Sequence, residues 1–238
     1  MRRFYAPVEN FNQSKISLGV EESKHLRDVL RLSEGAKVKV LDGAGKEFLC
    51  EIEQLKKKET LLNILEETAP TAPESRLDLT LAVALLKGEK FELVVQKAVE
   101  LGVTRLVPLN TKRAEVKVKE ADKRIERWRK IALEAAKQSG RAKLMLIEPP
   151  IDFEKFIKSA DGTRLLFAER GGESFSEIEA TAKITAIVGA EGGWETAEVA
   201  AARENGFETI TFGGRILRAE TAAIAVAAIL QNRFGDLI

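Results

Sequence analysis

The stretch ITAIVGAEGG, residues Ile184–Gly193, joins a short apolar run to a glycine-rich turn. A second stretch has the same design, because Thr209–Phe212 leads into Gly213-Gly214-Arg215 and then into an Ala-rich final helix predicted at Glu220–Phe234. In an open α/β sheet, ligands bind beyond the carboxyl ends of the strands, and glycines there let backbone amides come close to the ligand. The two turns, interpreted as lying on neighbouring strands, therefore predict one ligand pocket at that edge of a sheet.

Strand and helix candidates alternate through the rest of the C-terminal region. Leu77–Leu86 is a near-continuous apolar run, as a strand buried on both faces would be. We expect further strands at Arg105–Leu109, Lys143–Ile147 and Arg164–Ala168, and helices at Gly88–Leu101, Glu120–Ser139, Phe153–Ser159 and Thr196–Asn205. This alternation predicts an α/β domain with a mostly parallel sheet and helices on both faces.

The N-terminal region has a different pattern, made mostly of short strands around one helix. Lys37–Leu41 alternates polar and apolar residues, as a half-buried strand does. The helix is predicted from Ser23, as N-cap, to Leu32, and the spacing of Lys24, Arg27 and Arg31 places them on one face. These features predict a small β-barrel with a basic helical face.

A polar segment with two prolines, Glu66–Arg76, separates the two patterns. Such a composition is typical of a linker between domains. We therefore expect the barrel over residues 1–70 and the α/β domain over residues 74–238.

The composition excludes several kinds of chemistry. The chain has 238 residues, one cysteine and one histidine, so Cys50 and His25 make neither a disulfide nor a zinc site of the usual ligand types. We expect no metal, and Cys50 is interpreted as a residue of the barrel core. No apolar run is long enough to span a bilayer, and the first ten residues do not resemble a secretory signal. These observations predict a cytoplasmic protein without a membrane partner, whose chemistry comes from a cofactor or an activated substrate.

The charge is balanced overall but unevenly placed. The net charge is +1, whereas residues 112–143 contain 12 Lys or Arg and 5 Asp or Glu. A local basic surface indicates a nucleic acid, although a solvated helix face gives the same pattern. The two glycine-rich turns match neither the dinucleotide fingerprint nor the phosphate-binding loop, which disfavours a nicotinamide-dependent dehydrogenase.

Eight sequence motifs, taken together, resemble the RsmE-type family of SPOUT methyltransferases. In chain order they are RRF (Arg2–Phe4), HLRDVLRL (His25–Leu32), LDG (Leu41–Gly43), LLKGEKFELVVQKAVELGV (Leu85–Val103), RW (Arg127–Trp128), EAAKQSGR (Glu134–Arg141), IVGAEGGW (Ile187–Trp194) and FGGRILRAETAAIA (Phe212–Ala225). The last two motifs are the most specific. One departure is Ala190, where the family usually has proline.

The resemblance implies more than the residues alone predict. It implies a PUA-like barrel at the N-terminus, a SPOUT domain with a trefoil knot at the C-terminus, and a homodimer. The implied reaction is methylation of N3 of a uridine in 16S ribosomal RNA by S-adenosylmethionine, with naked RNA or the assembled small ribosomal subunit as partner. By motif position, the cofactor would contact Phe167, Ala168, Gly189, Glu191, Gly192, Gly193, Ile216, Leu217 and Thr221.

Arg218 and Glu220 are the predicted catalytic residues. Arg218 would stabilise negative charge on the uracil ring, since a fixed cation favours an anion that develops during the reaction. Glu220 would either orient Arg218 or accept the proton from N3. The predicted RNA-binding residues are Arg2, Arg3, Lys24, Arg27, Arg31, Arg113, Arg127 and Arg141. Arg141 has a structural alternative, in which it ties the helix end to the sheet.

Two other functions are compatible with the sequence. One is a non-catalytic RNA-binding factor for ribosome assembly, in which the pocket has lost its activity. The other is a methyltransferase that acts on another RNA or another atom.

Overall fold

A computed structural model describes residues 1–116, 121–175, 178–179 and 182–237, with backbone only at residues 121–123. The chain divides into two compact units, one formed by Met1–Glu74 with Leu133–Leu144 and the other by Ser75–Ala132 with Met145–Ile238. The segment Leu133–Leu144 thus belongs with the N-terminal region, which a division of the sequence into two consecutive ranges could not anticipate. Among the described residues, no helix is both long and apolar enough to cross a membrane.

A six-stranded sheet in the order β1-β4-β5-β6-β3-β2 forms the first unit. Its strands are β1 (Arg3–Tyr5), β2 (Phe11–Asn12), β3 (Lys15–Leu18), β4 (Lys37–Leu41), β5 (Glu47–Leu55) and β6 (Thr60–Thr68). Only β1 and β4 pair in parallel, while the other neighbours are antiparallel. Alternate strand residues such as Val38, Val40 and Cys50 fill the core, so the prediction for Cys50 is confirmed.

The short helix of this unit begins earlier than predicted. Helix α1 (Val20–Lys24) follows Gly19 and continues into a π-helical turn at His25–Val29. Ser23 is therefore not the N-cap, because it lies inside the helix, where its buried hydroxyl donates to the carbonyl of Leu18 at 3.1 Å. Arg31 lies beyond the turn with φ of 51°, so it does not share a helical face with Lys24 and Arg27.

A buried network of charges holds Leu133–Leu144 within the first unit. Arg3 pairs with the buried carboxylate of Glu47 at 2.8 Å, and its guanidinium also donates to the carbonyls of Ala136, Lys137, Gly140 and Arg141 at 2.9–3.1 Å. Arg141 is 4% exposed and pairs with Glu74 at 2.7 Å. The prediction that Arg3 and Arg141 bind RNA does not fit this burial, whereas the structural alternative for Arg141 does.

The second unit is built on an eight-stranded sheet in which all neighbouring strands are parallel. The strands are β7 (Asp78–Ala84), β8 (Arg105–Asn110), β9 (Leu146–Ile147), β10 (Ile151–Asp152), β11 (Thr163–Phe167), β12 (Glu173–Ser174), β13 (Lys183–Val188) and β14 (Glu208–Thr211). The order is β10-β8-β7-β13-β11-β14-β12, and β9 pairs with β8. The predicted α/β class is confirmed.

The helices occupy nearly the predicted ranges. They are α2 (Lys90–Glu100), α3 (Ala121–Ser139), α4 (Phe153–Ser159), α5 (Thr196–Glu204) and α6 (Ala219–Phe234). The predicted start of α3, Glu120, lies outside the described residues. A capping box formed by Glu195 and Glu198 fixes the start of α5, because each carboxylate accepts a backbone N–H that the first turn leaves free.

The strand order corrects one sequence interpretation. The two glycine-rich turns follow β13 and β14, and these strands are not neighbours, because β11 lies between them. The turns therefore flank the end of β11, and three adjacent parallel strands end together at one edge of the sheet.

Candidate functional site

A cavity of about 390 Å³ lies at the carboxyl ends of β13, β11 and β14, within the size range of small-molecule sites. Segments after all three strands line it, together with the start of α2 and the start of α6. The lining residues are Lys90, Phe167, Ala168, Glu169, Val188, Gly189, Ala190, Glu191, Gly193, Trp194, Phe212, Arg215, Ile216, Leu217, Arg218, Ala219 and Ala222. The pocket predicted from the two turns is thus present, with β11 as its central strand.

One wall is set by Trp194, which bridges two of these strands. Its indole Nε1 donates to the carbonyl of Phe167 at 2.9 Å, and its ring packs on Phe153 with centroids 5.2 Å apart. A Cβ atom at Gly189 would lie 3.0 Å from Trp194 Cε2, closer than side chains normally pack. Glycine at position 189 therefore allows the indole to reach the Phe167 carbonyl.

A second wall is aromatic. The rings of Phe167 and Phe212 lie 5.0 Å apart, and Phe175 packs on Phe212 at 6.0 Å. Arg233 of α6 holds Phe175 in place through two contacts. Its guanidinium lies 5.1 Å from the centroid of the Phe175 ring, and it donates a hydrogen bond to the Phe175 carbonyl. Cation–π and aromatic contacts of this kind orient rings as well as bury them.

The rim of the cavity carries charges of both signs. Lys90 Nζ donates to Glu191 Oε1 at 2.9 Å. Partial burial acts to raise the pKa of Glu191 and is the largest single cause. The hydrogen bond from Lys90, hydrogen bonds from backbone groups and the positive charge of Lys90 together outweigh it, so the pKa is lowered. The same hydrogen bond raises the pKa of Lys90. Arg215 and Arg218 add two exposed cations to this rim.

Arg218 immediately precedes α6 and is the residue at its N-cap position. Its carbonyl accepts from the N–H of Ala222 at 2.8 Å, whereas its side chain forms no ion pair or hydrogen bond with the described residues. A cation held at the mouth of a pocket without a protein partner is available to a ligand.

Glu220 does not line the cavity, and among the described residues no ion pair joins it to Arg218. Its Oε2 atom is buried without a hydrogen-bond partner. Among the described residues, therefore, no contact between Glu220 and Arg218 supports the predicted orienting role of Glu220.

Seven of the nine predicted cofactor residues line the cavity, and Gly192 and Thr221 do not. Gly192 turns its carbonyl to Arg113, which donates at 2.9 Å. Thr221 is exposed, because Ala219 and Ala222 occupy the cavity face of the first helical turn. The sequence interpretation missed Lys90, Trp194 and Phe212, although all three lie within the quoted motifs.

The predicted RNA-binding cations fall into two groups besides the buried pair. Arg2, Lys24 and Arg31 are exposed, and their side chains form no ion pair with the described residues. The others already have partners, since Arg27 pairs with Asp28 at 2.7 Å, Arg113 binds the Gly192 carbonyl, and Arg127 pairs with Glu92 at 2.8 Å.

Two protein families match parts of this chain. A family described as RNA methyltransferase domain matches residues 73–231, and one described as RNA methyltransferase PUA domain matches residues 18–65. Ribosomal RNA small subunit methyltransferase E of Aquifex aeolicus is 31% identical over 98% of this chain and 100% of its own. The enzyme of the same name from Rickettsia conorii is 32% identical over 95% and 93%.

A solved structure extends the likeness to the whole fold. The ribosomal RNA small subunit methyltransferase E of Neisseria gonorrhoeae, crystallised bound to S-adenosyl methionine, matches with a TM-score of 0.92 at 33% identity and covers 100% of both chains. The chain therefore belongs to the ribosomal RNA small subunit methyltransferase E family, with an N-terminal PUA-like domain and a C-terminal α/β methyltransferase domain of the SPOUT type.

Proposed function

We propose that this protein transfers a methyl group from S-adenosylmethionine to N3 of a uridine in 16S ribosomal RNA. The observation that carries the proposal is the cavity at the ends of β13, β11 and β14, with the unpaired cation of Arg218 at its mouth. The relatives that share this fold are named for the same class of substrate and one of them binds this cofactor.

The residues of the cavity fit S-adenosylmethionine. Phe167, Phe212 and Leu217 offer apolar surface to the adenine ring, and the glycine-rich turn after β13 leaves room for close approach to backbone groups. The carboxylates of Glu169 and Glu191 suit a positively charged donor, while Arg215 suits its carboxylate. When bound, the cofactor supplies an electrophilic methyl group on a positively charged sulfur.

Arg218 stabilises the uracil as it loses its N3 proton. Negative charge then develops on the ring carbonyls, and a guanidinium placed beforehand stabilises that charge without reorganising solvent. The guanidinium stays protonated at every relevant pH, so this contribution does not depend on titration of Arg218.

Glu220 stays in the predicted catalytic set. A buried carboxylate oxygen without a partner costs about 1–3 kcal/mol, so the unpaired Oε2 atom favours a role in which substrate binding supplies a donor. The proton of N3 and the guanidinium of Arg218 are both such donors, so proton acceptance and orientation of Arg218 both stay proposed roles. Because Glu220 does not line the cavity, either role requires its side chain to turn toward the substrate.

The protein acts in the cytoplasm as a homodimer, and the C-terminal domain contains a trefoil knot. Exposed apolar side chains on α2, on α6 and just before α6 support the homodimer, namely Leu93, Ile229 and Ile216. The order of β13, β11 and β14, in which the chain returns past β11, is compatible with the knot.

Methyl transfer from labelled S-adenosylmethionine to purified small ribosomal subunits and to naked 16S ribosomal RNA tests the proposal. Nucleoside analysis should show 3-methyluridine, and the better substrate of the two is the physiological one. Cofactor binding without transfer to either substrate would instead favour the non-catalytic assembly factor. A different methylated nucleoside would favour another target.

The assignment of Arg218 has its own test. Arg218→Ala should lower turnover by about 10²–10³-fold, as loss of one electrostatic stabiliser does, with cofactor affinity nearly unchanged. Arg170→Ala, at an exposed arginine that does not line the cavity, is the matched control. Normal turnover of Arg218→Ala would remove Arg218 from the mechanism.

A further inference from the structure

The tip of the β5–β6 hairpin carries three consecutive lysines, Lys56, Lys57 and Lys58. All three side chains are exposed, and none forms an ion pair with the described residues. Adjacent like charges repel one another, so this arrangement does not stabilise the hairpin. Clusters of unpaired lysines on one surface are typical of contacts with the phosphates of a nucleic acid.

The acidic residues nearest to the tip already have other partners. Glu59 accepts from the hydroxyl of Ser17 at 2.6 Å, and Glu34 accepts from the backbone N–H of Leu55 at 3.0 Å. Asp28 pairs with Arg27 at 2.7 Å, which lowers the pKa of Asp28. Glu34 and Glu59 keep their negative charge, but among the described residues neither forms an ion pair with a lysine of the tip.

Arg27 fixes the tip in place. Its Nη1 atom donates to the carbonyl of Lys56 at 3.3 Å and to that of Lys57 at 3.0 Å, while Nε and Nη2 bind Asp28. The guanidinium is therefore occupied on both sides, and it ties the hairpin to the π-helical turn at His25–Val29. Arg27 was predicted as an RNA contact, but this geometry makes it a positioning residue.

The surface next to the tip has two unusual backbone features. The π-helical turn is one, and the left-handed φ of 51° at Arg31 is the other. A π-helical turn is rare in any protein, and a left-handed φ is rare for a residue other than glycine; both features occur frequently at functional sites. The helix ends at these two features. Exposed Arg31 therefore lies just after the π-helical turn, and Arg27 of that turn is hydrogen-bonded to the hairpin tip.

We propose that the lysines of the hairpin tip bind phosphates of the ribosomal RNA and that Arg27 orients the tip for this contact. This inference rests on the proposed function, because it names the surface that holds the substrate. It adds Lys56, Lys57 and Lys58 to the exposed RNA-binding candidates of the first unit, Arg2, Lys24 and Arg31. The sequence interpretation did not include these three lysines.

The test compares the variant Lys57→Gln/Lys58→Gln with the control Lys155→Gln/Lys158→Gln. The control removes the same charge from exposed lysines of α4. Affinity for 16S ribosomal RNA is measured as a function of KCl concentration. The slope of log K against log salt should fall by about 1.4–1.8 for the hairpin variant, as expected for two lost phosphate contacts, and stay unchanged for the control.

A double-mutant cycle separates positioning from general stability. Arg27→Gln should weaken RNA binding in the wild-type background but have little effect in Lys57→Gln/Lys58→Gln, because the contact that Arg27 orients is already lost. Equal effects in both backgrounds would contradict the role of Arg27. Thermal unfolding of each variant identifies loss of folding.

An unchanged salt slope for the hairpin variant, or an equal loss in the control, would overturn the proposal. The methyl-transfer assay separates this failure from failure of the proposed function. If the wild-type protein methylates RNA and the hairpin variant has the same salt slope as wild type, only the proposed hairpin contact is contradicted. If the wild-type protein transfers no methyl group but the hairpin variant has a lower salt slope than wild type, only the proposed function is contradicted.

Discussion

Replacing Glu47 by glutamine should destabilise the first unit by about 3 kcal/mol at pH 7. The carboxylate is fully buried and accepts from Lys39 at 2.6 Å, from Arg3 at 2.8 Å and from the hydroxyl of Thr71 at 3.0 Å. Removal of one partner from a buried ion pair costs about 3–5 kcal/mol. We take the lower end, because Arg3 keeps four backbone carbonyl acceptors and Lys39 is 25% exposed.

The effect should depend on pH in a defined direction. Burial acts to raise the pKa of Glu47, but hydrogen bonds from Lys39 and Arg3 outweigh it and hold the pKa below its ordinary value. A lowered pKa in the folded state gives stabilisation that is complete above the unfolded value of about 4.3 and is lost as the pH falls toward the folded value. The difference between wild type and Glu47→Gln should therefore be largest at neutral pH and shrink below about pH 4.3.

Urea unfolding monitored between pH 7 and pH 3 measures this difference. Glu53→Gln is the matched control, since Glu53 pairs with Lys15 on the surface of the same unit and such a pair contributes about 0–1 kcal/mol. Equal stability of Glu47→Gln and wild type at pH 7 would refute the reasoning. A difference that stays constant down to pH 3 would show that the loss comes from packing and not from the ionised carboxylate.

Three further predictions concern the cavity and the barrel core. Lys90→Met should weaken S-adenosylmethionine binding, measured by calorimetry, by only about threefold, because the exposed ion pair of Lys90 with Glu191 contributes little. Lys97→Met is the control and should leave binding unchanged, since Lys97 forms a similar ion pair with Glu100 on the same helix. Gly189→Ala should weaken S-adenosylmethionine binding by about tenfold, since the new Cβ displaces Trp194 from the Phe167 carbonyl. Gly213→Ala is the control, because a Cβ at position 213 meets nothing within 4 Å. Equal cofactor affinity of the two variants would contradict the role of Gly189 in placing Trp194. Burial raises the pKa of Cys50 to about 12, so its thiol should react with iodoacetamide at pH 8 only after urea unfolding, and rapid labelling of native protein would show that the barrel core opens.

Local signals were sufficient for most elements of the second unit. The range predicted for α4, Phe153–Ser159, is the range observed, and Gly206 follows α5 as predicted. In the first unit the same signals misplaced the start of α1, because Ser23 resembles an N-cap in sequence but uses its hydroxyl within the helix on the carbonyl of Leu18. Strand order was beyond reach for a different reason. The insertion of β13 between β7 and β11 joins segments about one hundred residues apart, and no local pattern specifies such a pairing.

The basic residues show why a site of this kind is only partly predictable. Arg2 and Arg3 are neighbours in one motif, yet Arg2 is exposed while Arg3 meets four carbonyls from residues 136–141. A guanidinium has five N–H donors, so carbonyls that lie free at a helix end compete with phosphate for the same group. Whether an arginine binds helix-end carbonyls or a phosphate thus depends, as for Arg3, on segments more than 130 residues away along the chain. The lysines at the hairpin tip meet no such competitor, since among the described residues the side chains of Lys57 and Lys58 form no hydrogen bond or ion pair. In this chain the exposed lysines of the hairpin tip are therefore better candidates for a phosphate contact than the buried Arg3 and Arg141, and the salt dependence of the hairpin variant tests this distinction directly.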